Sequence, residues 1–222
     1  RLNAAVLRLW ARQDSPVRVY PVAAATQGLH GKVMTEMAAL ASAGAVAFSD
    51  DGHTIMDAGV QRRVFEYSRL VGAPVIVHAE DRTLVGEGVL NEGAVSTRLG
   101  LPGNPCVAEA ACVARDLMLA ELTGAHLHVG HVSTAAAVEL IRAARARGVH
   151  VTAEVTPHHL TLTDEACLGY DTNTKMAPPL RSATTDMACG CGGLRGPSRR
   201  MSSMTATTVA GLPSRKLGAT SV

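Results

Sequence analysis

The sequence predicts an α/β protein built on a parallel sheet. Three observations carry that reading. Five short runs rich in Val and Ala alternate with longer amphipathic runs, one of which follows each of the first four. Runs such as Pro74–Val77 (PVIV) are nearly all apolar, the pattern of strands buried on both faces. No Gly-x-Gly-x-x-Gly opens a helix, so a dinucleotide-binding sheet has no support. A doubly wound sheet and a barrel both satisfy the remaining rhythm.

In chain order, Leu2–Arg12 reads as a helix and Val17–Ala23 (VRVYPVA) as the first strand. Gly31–Gly44 reads as a helix, with Met34, Met37, Leu40 and Ala41 near a 3.6-residue period. Ala45–Ser49 (AVAFS) is the second strand and stops at the turn signal Asp50-Asp51-Gly52. Asp57 is placed to cap a helix running to Val71. Pro74–His78 is the third strand. The polar, glycine-containing stretch Thr83–Pro105 is expected to be loop with some helix, and Val107–Leu122 a long helix. His126–Gly130 (HLHVG) is the fourth strand, and Ser133 is placed to cap the helix Ala135–Arg147. Val149–Val155 (VHVTAEV) is the fifth and runs into Thr156-Pro157-His158-His159. The pattern stops near Arg181. From residue 187 the chain is mostly Gly, Ser, Thr, Ala and Arg, with too little apolar area to offset the entropy of ordering it.

Composition narrows the function. Of 222 residues, 47% are hydrophobic and only 3% aromatic, so the core must come from Ala, Val and Leu, and a disordered or collagen-like chain is excluded. The net charge of +2 gives no reason to expect nucleic acid or an anionic membrane as partner. That charge is unevenly spread. Residues 1–186 hold 16 Lys and Arg against 19 Asp and Glu, whereas residues 187–222 hold five basic residues and no acid. A body over 1–186 and an atypical basic tail over 187–222 are therefore expected. The apolar stretch Ala38–Phe48 is too short to cross a bilayer. Five cysteines at irregular spacing read as reduced thiols of a cytoplasmic protein. The chain begins at Arg1 without Met or signal-like segment, as after processing or with a beginning missing.

The chemistry lies at the strand ends, where parallel α/β folds gather function. The second strand ends in Asp50-Asp51, the third in His78-Ala79-Glu80-Asp81, the fourth in His131 and the fifth in His158-His159. Four consecutive strands thus bring a metal-competent group to one rim. Two imidazoles and a carboxylate on separate rigid elements are what a catalytic zinc site needs. Each group also has a plain structural reading. Asp50 and Asp51 can cap the turn, and His78 can be a satisfied half-buried histidine. His126 and His128, alternating with Leu127, can pack within the strand, and His158 and His159 can brace the bend after Pro157. His30, His53 and His150 read as surface or loop histidines.

The segments FSDDG (Phe48–Gly52), VIVHAED (Val75–Asp81), HVGHVST (His128–Thr134), VTAEVTPHHL (Val151–Leu160) and KMAPPLR (Lys175–Arg181) together resemble the dihydroorotases of the amidohydrolase superfamily. The likeness runs over roughly residues 15–185 and is nearer the bacterial form in which an aspartate bridges two metal ions. It implies a (β/α)8 TIM barrel of the metal-dependent hydrolase type, here a partial barrel whose five strands are the third to seventh. It implies Asp51 as the bridging carboxylate and His78 and His131 as ligands of one of one or two Zn²⁺ ions. Asp50 is then the neighbour of the ligand.

The resemblance also implies a reaction, the reversible cyclisation of N-carbamoyl-L-aspartate to dihydroorotate in pyrimidine biosynthesis. Departures from the pattern bear on it. The family's His-x-His-x-Arg does not occur before Val17, and no Asp-His-Ala-Pro stretch follows KMAPPLR. The aspartate of that stretch is the proton relay. Ala177 stands where a substrate-binding Asn is usual, and a methyl replaces none of an amide's hydrogen bonds. This chain alone is therefore expected to be inactive, and a shift of reading frame near residue 182 would account for the tail. Two other readings are a non-catalytic subunit scaffolding aspartate carbamoyltransferase and another cyclic amidohydrolase of hydantoinase or allantoinase type. Expected partners are the small-molecule substrate, aspartate carbamoyltransferase or a second copy of the chain, with no nucleic acid and no membrane.

Overall fold

The computed structural model describes residues 20–183. The expected helix Leu2–Arg12, the beginning of the first strand and the tail from residue 187 lie outside the described residues.

The first strand, β1 (Val22–Ala24), pairs in parallel with β2 (Ala47–Ser49), Ala23 opposite Phe48. Between them the expected helix Gly31–Gly44 is shortened to α1 (Met37–Ser42). The reason lies in the backbone. Gly31 has φ +66°, Thr26 and Met34 form an isolated antiparallel bridge, and Thr35 N–H donates to Ala25 O at 3.0 Å. Residues before Met37 thus pair with the exit of β1 and are unavailable to an i→i−4 ladder, although Met37 itself is fully buried.

Helix α2 (Ala58–Val71) starts where expected: Asp57 accepts from Val60 N–H at 2.9 Å. It ends at Gly72, whose left-handed φ of +68° closes the helix. Strand β3 (Val75–Val77) follows and begins just after Pro74, which has no N–H for the ladder. The expected loop Thr83–Pro105 holds more order than its composition suggests. It contains α3 (Arg82–Val85), β4 (Leu90–Asn91), α4 (Ala94–Leu99) and β5 (Gly103–Asn104), with β4 and β5 forming their own parallel pair. Helix α5 (Val107–Thr123), β6 (Leu127–Val129), α6 (Ala135–Ala146), β7 (Val151–Ala153) and α7 (Pro157–Thr161) complete the described regular elements apart from short 3₁₀ turns. The cap of α6 is Thr134, which accepts from Ala137 N–H, and not Ser133 as the sequence suggested. The Ser133 hydroxyl is taken by Glu109 and Arg181.

Strand order decides between the two architectures. The main sheet runs β1-β2-β3-β6-β7, all parallel, in chain order without reversal. A doubly wound sheet reverses order at a switch point, and none occurs here. The chain is therefore an arc of a (β/α)8 barrel, with successive strand ends on one rim. The main core joins the strands to the helices: Phe48, Val75, Leu127, Val129 and Val151 pack with Val64, Phe65, Val113 and Leu117. Because side chains alternate along a strand, Ile76, His128 and Thr152 occupy the opposite, inner face, where they are register partners. Among the described residues no helix is long and apolar enough to cross a membrane.

Candidate metal centre

At the end of β2, Asp50 is buried, and its carboxylate accepts from the N–H and hydroxyl of Thr26. It ties the exits of β1 and β2 together, a structural task. Asp51 is exposed on the following turn, with φ +55° and its N–H donating to Ser49 Oγ at 2.9 Å. A β-substituted residue held at positive φ costs energy and tends to mark a position where direction matters.

At the end of β3, His78 is 7% exposed. At the end of β6, His131 takes φ +35°, again left-handed. The two rings meet: His78 Nδ1 lies 3.1 Å from His131 Nε2, with the rings edge-on at 70°. The second nitrogen of His78 is 3.2 Å from Glu80 Oε2, and the other Glu80 oxygen accepts from Asn104 Nδ2 at 2.6 Å. Burial alone would push the Glu80 carboxyl up, but hydrogen bonds from His78 and Asn104 outweigh it and hold it below the ordinary value. His131 is shifted down, first by burial and then by the neighbouring His78.

A zinc ion fits part of this arrangement. Two nitrogen ligands of one tetrahedral zinc, each about 2.0–2.1 Å from it, are about 3.3 Å apart, close to the observed 3.1 Å. His131 Nδ1 is buried without a hydrogen-bond partner, so the ring's defined contact is through Nε2. The third expected ligand is not gathered in: among the described residues no three His, Cys, Asp or Glu side chains converge on a common point. The structure brings His78 and His131 together and leaves Asp51 on its exposed turn.

His159, His128, His126 and His150 make contacts within the fold. His159 bridges Thr156 Oγ1 and Pro178 O, at 2.7 and 3.1 Å, bracing the bend after β7. His128 and His126 both reach Thr152 Oγ1, at 2.8 and 3.1 Å. His126 also stacks on His150, with centroids 4.0 Å apart. Burial first, then His150 and His128, push His126 down to about 4. Ala177 is exposed and helps to line an open cleft of about 340 Å³ with Glu80, Asn104, Lys175 and Met176.

Several residues that sequence reasoning did not single out organise the site. Glu109, buried on α5, accepts from the N–H and hydroxyl of both Ser133 and Thr134, the residues that follow His131. Arg181, 2% exposed, donates to Ser133 Oγ, Asn91 Oδ1 and Asn104 O. A carboxylate in the otherwise apolar run VAEAACVA was the available signal for Glu109.

The profile of the dihydro-orotase-like family matches residues 3–137. The chain belongs to this family. It is 59% identical over 167 residues to the dihydroorotase of Pelotomaculum thermopropionicum, an alignment covering 75% of this chain and 39% of that protein. It is 54% identical over 173 residues to the dihydroorotase of Syntrophotalea carbinolica, covering 78% and 41%. The chain therefore spans about two fifths of the length of these relatives. In structure it is similar to the L-hydantoinase of Arthrobacter aurescens, with a TM-score of 0.62 and 25% identity over 77% of this chain and 39% of that one. The likeness of this dihydro-orotase-like chain to a hydantoinase agrees with the barrel arc read from strand order.

Proposed function

We propose that this chain carries one zinc half-site of a dihydroorotase, the cyclic amide hydrolase that interconverts N-carbamoyl-L-aspartate and dihydroorotate. The observation that carries the reading is the convergence of His78 Nδ1 and His131 Nε2 from the ends of two adjacent parallel strands. Family membership supports it, and so does the position of Asp51 at the end of the next strand, β2. When bound, zinc at such a site lowers the pKa of water to about 7 and polarises the carbonyl under attack. The chain's own residues do the rest of what can be assigned. His78 and His131 would hold the ion through Nδ1 and Nε2. Asp51, on the turn after β2, would supply the carboxylate ligand. The cleft beside Glu80 receives the substrate, and Ala177 faces it with a methyl where an amide is usual.

The test is zinc titration of the 222-residue chain, with assays on dihydroorotate and hydantoin. The expected result is zinc uptake that is lost in both His78→Ala and His131→Ala. Turnover of dihydroorotate by the chain alone should be negligible, because the family's proton-relaying aspartate is not in the sequence. Zinc uptake unaffected by the two substitutions overturns the half-site. Hydrolysis of hydantoin in preference to dihydroorotate overturns the substrate.

A further inference from the structure

The His78 ring has two nitrogens and, when neutral, one proton. Which nitrogen carries it decides whether the ring can offer a lone pair toward His131. We propose that Glu80 is a positioning residue: its carboxylate accepts the Nε2 proton of His78, fixes that tautomer, and keeps the Nδ1 lone pair turned toward His131 for a zinc-type divalent cation. This rests on His78 and His131 being the half-site proposed above.

Three observations support the assignment. First, Glu80 Oε2 is 3.2 Å from His78 Nε2, so each ring nitrogen has one neighbour of its own, a carboxylate on one side and His131 on the other. A carboxylate has no proton to give, so the proton of that bond must belong to the ring. Second, ring and carboxylate hang from one backbone anchor. Thr54 Oγ1 lies 2.7 Å from both His78 O and Glu80 O and accepts the Glu80 N–H at 3.1 Å. Third, the carboxylate is held from its far side. Asn104, 3% exposed, donates to Glu80 Oε1 at 2.6 Å, and its own carbonyl accepts from Arg181 at 3.0 Å. Glu80 is thus fixed in rotation, with one oxygen committed to Asn104 and the other to His78. Outer partners of this kind set the tautomer and orientation of ligating histidines and raise their basicity.

The substitution Glu80→Gln separates this role from simple packing. An amide has one acceptor oxygen for two donors, so either Asn104 or His78 loses its partner. The Gln amino group can also donate to a deprotonated Nε2 and so favour the wrong tautomer. The experiment uses the full 222-residue chain labelled with ¹⁵N, and ring-nitrogen spectra read the His78 tautomer before zinc is added. Zinc affinity is then measured by competition with a chromophoric chelator.

Wild type is expected to show His78 protonated on Nε2. Glu80→Gln is expected to show a mixture of tautomers and about 10- to 100-fold weaker zinc binding, with a lowered urea midpoint but native spectra retained. Glu139→Gln, at an exposed site on α6, is expected to match wild type. Equal affinity and an unchanged tautomer in Glu80→Gln overturn the role of Glu80, provided that His78→Ala and His131→Ala still abolish binding. Binding that survives those two substitutions removes the half-site itself, a different outcome from the same titration. If Glu80→Gln does not fold, the wild-type spectrum still decides: a His78 proton on Nδ1 overturns the proposal.

Discussion

At the scale of single residues, the site depends on buried carboxylates as much as on histidines. Glu109 shows why. The turn after β6 must hold His131 at φ +35°, and backbone in that region reverts unless its surroundings fix it. Four donors from Ser133 and Thr134 converge on one carboxylate, which has about four lone-pair sites to receive them. Glu109→Gln removes one acceptor oxygen and places two amide hydrogens where donors already point. About 3 kcal/mol of stability should be lost, since a buried donor left without a partner costs 1–3 kcal/mol. A urea midpoint measures that. Ring-nitrogen spectra of the same variant should show His131 drifting away from His78.

The sequence alone singled out His78 and His131 as candidates, because a histidine at the end of an apolar run is conspicuous. It gave no separate role to Glu80 or Arg181, which it named only within longer motifs, and it passed over Glu109. Charged residues are common in any chain, and only the fold shows that Arg181 is buried 48 residues beyond Ser133, to which it donates.

At the scale of elements, local signals were trustworthy where nothing distant competed with them. Four of the five strands fall inside the expected runs, each three residues long, and β1 overruns its own by one residue, Ala24. Asp57 caps its helix as read. The failures have a common cause, which is capture of a local group by a distant partner. Residues before Met37 pair with the exit of β1 and leave the helix. Ser133 turns to Glu109 and Arg181, and Thr134 takes over the cap.

The C-terminus of α2 offers a clean measurement of the opposite case, a purely local requirement. A methyl added at Gly72 would meet nothing within 4 Å, so packing predicts no penalty for Gly72→Ala. Backbone conformation predicts one, because φ is +68° and an L residue pays roughly 1–2 kcal/mol there. The expected result is a loss in that range at the urea midpoint, with native spectra retained.

At the scale of the whole molecule, stability should depend on pH through one buried acid. Asp116 on α5 is 1% exposed and is pushed up to about 6 from 3.8 by burial, against the opposing charge and hydrogen bond of Arg115. A carboxyl whose folded pKa is raised contributes stability below its unfolded pKa. That contribution is lost as pH rises through the folded value, here between about 4 and 6. Asp116→Asn should therefore stabilise the chain at pH 7 by up to about 3 kcal/mol, at 1.36 kcal/mol per unit, and the gain should vanish near pH 4. Thermal midpoints of the two proteins across that range give the answer.

The fold class was legible at this scale, whereas barrel and doubly wound sheet were not separable by local pattern. Both use the same βα rhythm, and only the order of pairing tells them apart.

That order has a further consequence. Strand β3 pairs directly with β6, so the stretch from Arg82 to Cys106 is an excursion that the main sheet does not need. Yet this excursion carries Asn104 and Asn91, which grip Glu80 and Arg181. The scaffold and the support of the Glu80 and Arg181 side chains are thus written in separate stretches of chain. Changes to the length or content of this one loop would alter what holds Glu80 and Arg181 while leaving every rung of the barrel ladder in place.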